Sequence, residues 1–372
     1  MKSVFTALLT VFILLACAVN AAAFEADLDN LAESVSDELF SSIEKDVLSA
    51  LNDMGINEDT LFSLNSFSLD NITAFFSDTL KDKAAECAVN VFSLLCIIML
   101  TGSVTSLFSG TGGERLLSYI SILIAILLSV NLIGEALTAT VSVLKMCGNF
   151  MLSYIPIYTV AISLSGNAAS ALTYNSMLVV LAELLSTALV KFLPELIGLL
   201  LCIIISFSLN ESISISRLIN AVNKTVSIVL GVSAGAFTGL LSIKNILSVS
   251  IDSVSVRSIR FLISSLIPII GSSISEAYSS LLGSINLIKG SVAFVGIIVM
   301  LVINLPVIAQ TLVYYLSFTA LSYISDSFSV MRLGDTLRGL SCVMRILMLL
   351  CVFEMFILII STGIMLSLKG TV

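Results

Sequence analysis

The apolar positions of this chain fall into three regimes. Val4 to Val19 is an apolar stretch of about 16 residues, with Lys2 before it and Ala21-Ala22-Ala23 behind it. Between Phe24 and Glu86 the apolar residues are spaced instead. Leu28, Leu31, Val35, Leu39, Ile43, Val47, Leu51 and Met54 recur every three or four positions, with acids between them. That period predicts an amphipathic helix with one apolar face, and Gly55 stands where a C-terminal cap belongs. Ser68 then predicts the N-cap of a further helix that turns Leu69, Ile72, Phe75, Phe76 and Leu80 inward and runs on into the apolar region. From Cys87 onward the runs are long and lightly interrupted, and they predict spans near 87–108, 116–134, 147–165, 170–190, 193–210, 225–243, 261–284, 290–322 and 344–367. Backbone in lipid must satisfy its own hydrogen bonds, so only helices or closed barrels cross. The runs lack the two-residue alternation of a barrel strand. The expected fold is therefore all-α: a polytopic helical membrane protein of about seven to ten spans with a small N-terminal helical extracytoplasmic segment.

Three divisions follow: 1–23, 24–86 and 87–372. The first reads as a secretory signal peptide, since its apolar run is shorter than the roughly 20 residues of a spanning helix and the small residues before Phe24 form a cleavage pattern. Lipid attachment at Cys17 and an uncleaved anchor are the competing readings. All three place residues 24–86 outside the cytoplasm. Span 87–108 then runs inward and the loop Ser109–Arg115 is cytoplasmic. Its glycines suit a tight turn, because no Lys-Ser/Thr follows them and no strand precedes them.

Composition changes this picture in two places. Hydrophobic residues make up 58% of the 372 positions and charged ones 11%, with a mean hydropathy of +1.11, far from soluble-protein usage. The net charge of −8 is an average over unlike parts. Residues 24–86 hold 15 acids against three bases (Lys45, Lys81, Lys83), whereas 87–372 hold 13 bases against 10 acids. The acidic face of the exported segment has two readings: solubility of a translocated stretch, which avoids Lys and Arg, or docking to a basic partner. The chain has no His, so no Ser-His-Asp triad, Cys-His dyad or His-ligated metal exists. Catalytic residues, metal ligands and cofactor sites are all expected to be absent, and so is nucleic-acid binding, which needs clustered Lys and Arg. Membrane lipid is the expected surrounding. The exported segment has no Cys; Cys87, Cys96, Cys147, Cys202, Cys342 and Cys351 lie in or beside apolar runs without CxxC spacing, as small packing residues do.

All four prolines, Pro156, Pro194, Pro268 and Pro306, lie in apolar runs and are candidate helix breaks. Pro156 to Pro268 is 112 residues, as is Pro194 to Pro306. At that offset Ser153 meets Ser265, Ile155 meets Ile267, Ser163 meets Ser275 and Lys145 meets Arg257. An internal repeat with units 116–227 and 228–339 is one reading, in the manner of duplicated transporters; prolines that only kink helices for packing are the other. Ionisable residues in apolar runs are costly and mark polar interfaces or paths. Glu183 and Glu354 lie deepest, and Glu276 and Lys145 are further candidates. Glu135, Glu195, Lys191, Lys224 and Lys289 suit interfacial or snorkelling positions.

One ordered set of residues resembles a known family. It comprises Ser153-Tyr154-Ile155-Pro156-Ile157-Tyr158, Ser165-Gly166-Asn167-Ala168-Ala169-Ser170-Ala171, Arg260-Phe261, Ser264-Ser265-Leu266-Ile267-Pro268-Ile269-Ile270-Gly271 and Ser275-Glu276-Ala277. Gly283-Ser284, Leu287-Ile288-Lys289-Gly290, Gly296, Pro306, Tyr315 and Ile324-Ser325-Asp326 continue it. Preceded by a signal peptide and an acidic helical segment, this series resembles the stage III sporulation protein AE family of endospore-forming Firmicutes. It departs at Ser272-Ser273, where another small residue is expected, and at Glu276, where Asp is. The resemblance implies a multi-pass subunit of the mother-cell membrane around the forespore, with residues 24–86 facing the intermembrane space. It implies assembly with other membrane subunits and, directly or indirectly, with a forespore partner protein. The complex would form a channel or secretion-like apparatus that keeps the forespore supplied and sustains its late gene expression. The family has no catalytic residues. The alternative function is a stand-alone solute permease. An intramembrane protease is disfavoured, because beyond residue 87 only Asp252, Asp326 and Asp335 occur and no motif pairs them.

Overall fold

A computed structural model describes the backbone of residues 36–41, 43–53, 69–107, 113–184, 190–209, 215–266 and 271–367, together with the single positions 34, 56 and 187. Residues 1–33 lie outside the described set, and with them the expected signal peptide and the first turns of the acidic helix; so do Gly55, Ser68 and the loop 108–112. The described chain forms helices α1 (Lys45–Asp53), α2 (Leu69–Leu107), α3 (Gly113–Leu164), α4 (Ala168–Glu183), α5 (Val190–Leu209), α6 (Ile215–Leu266), α7 (Gly271–Ser327) and α8 (Met331–Leu366). No strand occurs among the described residues, so the all-α expectation holds.

Six of these helices contain stretches long and apolar enough to cross a membrane: Thr73–Val104, Tyr119–Leu164, Val190–Ser208, Arg217–Ser248, Gly283–Ser327 and Met331–Leu366. Among the described residues the count is below the seven to ten expected, because segments that are separate apolar runs in the sequence merge in the structure. Spans 116–134 and 147–165 are one 52-residue helix, α3. Glu135 and Lys145, which lie between the two apolar runs, are exposed positions within it. The segment 170–190 becomes the 16-residue α4, too short to count as a span. At 1.5 Å per residue α3 is about 78 Å long, more than twice a hydrocarbon core of about 30 Å. A helix of this length extends well past the lipid, and polar positions along it need no loop.

The 112-residue offset does not recur in the element boundaries. The turn at Ser165–Asn167 maps onto 277–279, inside α7. Nor do three of the prolines interrupt their helices: Pro156 lies within α3, Pro194 within α5 and Pro306 within α7. Pro156 and Pro194 are exposed, and Pro306 is half-buried. Pro268 lies outside the described residues.

Burial sorts the helices. Of the most apolar window in each, 72% is buried for α7 and 6% for α6. Thus α7 is the central post and α6 a peripheral one, with Ile228, Val229, Val232, Leu240, Ile243 and Leu247 turned outward. Two apolar cores are stacked along α3, α7 and α8. One gathers Cys87–Ile98 of α2, Ile122–Leu144 of α3, Leu193–Ile204 of α5 and the α7–α8 hairpin from Tyr314 to Leu350. The other gathers Cys147–Ile162 of α3, Ala171–Ala182 of α4, Leu241 of α6, Ile288–Val307 of α7 and Cys351–Met365 of α8. We call them the Arg338 core and the Glu354 core.

The acidic segment docks on the Glu354 core. Leu39, Phe40, Ile43, Val47, Leu51 and Ile56 are buried in it, while Asp37, Glu38, Glu44, Asp46 and Asp53 stay exposed. Over its described part, Leu39 to Leu51, the amphipathic face expected from the spacing is buried against the membrane domain; Leu28, Leu31, Val35 and Met54 lie outside the described residues. The single helix expected over 28–54 bends at 43–44 instead. Leu48 N–H donates to Glu44 O (2.9 Å) to start α1 anew, and the bend keeps Phe40 and Val47 on one side.

Candidate functional site

Among the sequence-predicted ionisable candidates, Glu354 alone has a described side chain that is buried. Its relative exposure is 0%. Glu183 is exposed at the end of α4, where Thr187 Oγ1 donates to its Oε1 (3.3 Å). Lys145 is exposed on α3. Glu276 lies on α7 with its side chain outside the described set. The structure does not bring these four together. It also corrects Lys289, which is 2% exposed rather than snorkelling to the surface.

What surrounds Glu354 is built from one face of α3. Cys147, Phe150, Met151, Tyr154 and Tyr158 recur at gaps of three and four and are all buried. The aromatic members stack: Phe150 and Tyr154 have ring centroids 5.4 Å apart, Tyr154 and Tyr158 5.5 Å, and Tyr158 meets Tyr174 of α4 edge-on at 5.2 Å. Offset and edge-on pairs of this kind are favourable beyond their area. Tyr154 fits because Gly296 faces it from α7; a Cβ there would collide with the Cε2 and Cζ atoms of the ring. Gly166, at φ 86°, closes the α3–α4 turn that brings Tyr174 back. Asn167 Nδ2 braces this turn by donating to Ser165 O (3.2 Å) and Ser165 Oγ (3.1 Å).

The polar atoms of this core are unevenly satisfied. Tyr158 Oη donates to Thr362 O (3.4 Å). Asn304 Nδ2 donates to Met300 O (2.8 Å) and to Cys147 Sγ (3.1 Å). The Glu354 carboxyl lies beside the Cys147 and Cys351 thiols. Beyond the Cys147 thiol neither of its oxygens has a hydrogen-bond partner among the described residues, and Asn304 Oδ1 has none there; the Tyr154, Tyr174 and Thr362 hydroxyls have only one another nearby. Buried polar atoms in folded proteins are almost always paired, so this concentration of poorly paired oxygens sets the region apart. Among the described residues no group of His, Cys, Asp and Glu could hold a metal ion.

Beside this core, α3, α7 and the docked acidic segment enclose a cavity of about 340 Å³. Ser41 and Glu44 line it from the segment, Met146, Asn149 and Phe150 from α3, and Val299 and Ile303 from α7.

The Arg338 core ends in a satisfied ionic network. Arg338 pairs with Asp326 through Nη2 and with Asp335 through Nη1. Arg332 Nη1 donates to Tyr119 Oη (3.2 Å), with its guanidinium 5.5 Å from the ring centroid. Ser325 Oγ donates to Val330 O (2.8 Å) across the α7–α8 turn, in which Ser329 takes a φ of 61°.

The family model described as stage III sporulation protein AE matches residues 48–367. The chain belongs to that family. It is also similar to Stage III sporulation protein AE of Bacillus subtilis (strain 168), at 20% identity over 248 residues. That match covers 67% of this chain and 62% of the relative, so under two thirds of the relative's length is spanned. No solved structure matches the chain. In this family member, many residues that carried the resemblance occupy the positions just described. Tyr154 faces Gly296, Ser165-Gly166-Asn167 makes the α3–α4 turn, and Ser325 and Asp326 make the α7–α8 turn and its ion pair. Sequence reasoning did not single out Cys147 and Asn304 as site residues. Both are small residues in apolar runs, and their only signal is the i, i+3, i+4 register that puts Cys147 on the face of Tyr154.

Proposed function

We propose that this family member is a non-enzymatic membrane subunit of the channel or secretion-like complex that links mother cell and forespore in sporulation. In this reading it is needed for forespore maintenance and late forespore gene expression. It resides in the mother-cell membrane around the forespore, with residues 24–86 on the extracytoplasmic side. Its partners are other membrane subunits of the complex and, directly or indirectly, a forespore protein. The family match over residues 48–367 carries the reading.

The peripheral helix fits it. On α6, Gly231, Gly235 and Gly239 have open space where their Cβ atoms would stand, and Ile228, Val232 and Ile243 are exposed around them. Small residues at four-residue spacing let membrane helices approach closely, as a subunit among other helices needs. The test is recovery of the tagged protein from sporulating cells after mild crosslinking. Co-recovery of further membrane proteins, reduced by Gly235→Leu without loss of the protein itself, is the expected result. Substrate uptake by the purified protein alone in vesicles would support the permease reading instead.

A further inference from the structure

We propose that Glu354 is a proton-binding site of the membrane domain, held as the neutral acid between α3, α7 and α8 and exchanging its proton through the cavity under the acidic segment. The inference goes beyond the subunit role above and stands on three observations. First, the carboxyl is fully buried, and among the described residues its only polar contact is the weak thiol donor of Cys147. Second, the groups facing it are neutral: the Cys147 thiol and the Asn304 amide behind it from α3 and α7, and the Cys351 thiol from its own helix. An ionised carboxylate in apolar surroundings without a counter-charge costs far more than the protonated form. Third, a cavity lies close by. Met146 and Ile303 line it, on the same stretches of α3 and α7 that supply Cys147 and Asn304, which are bonded to each other. The cavity has room for several waters, and Glu44 of the acidic segment is in its lining.

A hydrophobic carbodiimide tests this directly. It reacts with a protonated carboxyl in an apolar setting. The acid adds across one C=N bond, its oxygen joins the central carbon and its proton goes to nitrogen. The O-acylisourea then rearranges to a stable N-acylurea, with nothing lost and nothing oxidised. The full-length protein in vesicles, treated with dicyclohexylcarbodiimide and digested, is expected to show a mass gain of one carbodiimide on the Glu354 peptide. The adduct should fall as pH rises, disappear in Glu354→Gln and persist in Glu183→Gln. Met146→Trp, which fills the cavity, should slow its formation. Infrared spectra of the unlabelled protein give a second reading: a carboxylic-acid C=O band that Glu354→Gln removes. Absence of both adduct and band would overturn the proposal. An adduct that sodium or potassium ions suppress at constant pH would also overturn it, and would assign the site to an alkali cation.

Discussion

The two stacked cores solve the same problem in opposite ways. Each must place ionisable residues within a largely apolar bundle. The Arg338 core sets its charges at the hairpin end, about one-third exposed and paired, with one guanidinium bridging two carboxylates. The Glu354 core sets a single carboxyl at full burial, with no cation acting on it among the described residues. Neighbouring charge stabilises the first arrangement and only protonation stabilises the second. The ionic network is therefore an architectural clamp on the α7–α8 turn, whereas the lone carboxyl is the better candidate for function. A buried, unpaired polar group lowers stability, and structure alone has no need of it.

The sharpest way to break this contrast is to alter the charge of each core. Glu354→Lys sets a longer amine between the Cys147 and Cys351 thiols, where it must either carry a charge without a partner or give up its proton, and the folded protein should be strongly depleted from membranes. Glu354→Gln keeps shape and neutrality and should accumulate to normal levels. Immunoblotting of membrane fractions separates the two. If Glu354→Gln were lost as completely as Glu354→Lys, the carboxyl would be ionised and paired after all.

The next largest effect concerns the docked segment. Leu51 is fully buried where α1 meets the membrane domain. Truncating it to Ala removes about 2–5 kcal/mol from such a contact. Since the segment is joined to α2 by a long connection, the loss should appear locally. Limited proteolysis should cut residues 34–56 faster in Leu51→Ala while fragments from α3 to α8 stay intact. Global unfolding would mean that the segment is part of the core rather than docked on it.

These two regions also show what could be read from the residues beforehand. The apolar stripe at Leu39, Ile43, Val47 and Leu51 was legible because its 3–4 spacing survives docking. Which surface it covers was not, since an amphipathic face fits any apolar partner. Glu354 was legible as a charge deep in an apolar run. Its neighbours Cys147 and Asn304 were not, because uncharged residues in such runs are usually packing. Helix boundaries were less legible for a physical reason: a polar residue such as Glu135 or Lys145 marks the end of an apolar run, which need not be the end of a helix. In α3 these are different things, because the helix outlasts the bilayer. Of the two readings of the prolines, the described ones fit the packing kink rather than the break. A proline removes one backbone hydrogen bond and crowds the preceding turn, yet long helices accommodate this by kinking, and α3, α5 and α7 continue past Pro156, Pro194 and Pro306.

A smaller effect probes packing in the Glu354 core. Gly296→Leu drives a side chain into the Tyr154 ring, and the cost should be about 1–3 kcal/mol. Gly134, on the same scaffold, has nothing within 4 Å of its Cβ position, and Gly134→Leu should be nearly silent. Thermal unfolding of the detergent-solubilised variants should lower the midpoint for the first and leave the second unchanged. Equal effects would place the tyrosine ladder away from α7.

The smallest expected effect lies in the Arg338 core, and its size is the point. Arg338→Ala leaves Asp326 and Asp335 near each other without their shared cation. Both carboxylates reach solvent, at 31% and 37% side-chain exposure, so water and salt screen them and the loss should be about 1 kcal/mol or less. Because the remaining term is repulsion between acids, raising the salt concentration should recover part of the lost stability. Adding Asp326→Asn to Arg338→Ala should recover more, since it removes one of the two like charges. Neither remedy should help Glu354→Lys, where the charge has no solvent to screen it and no partner to remove. A salt-insensitive Arg338→Ala would mean that the network is sealed from water and that the two cores differ less than their exposure indicates.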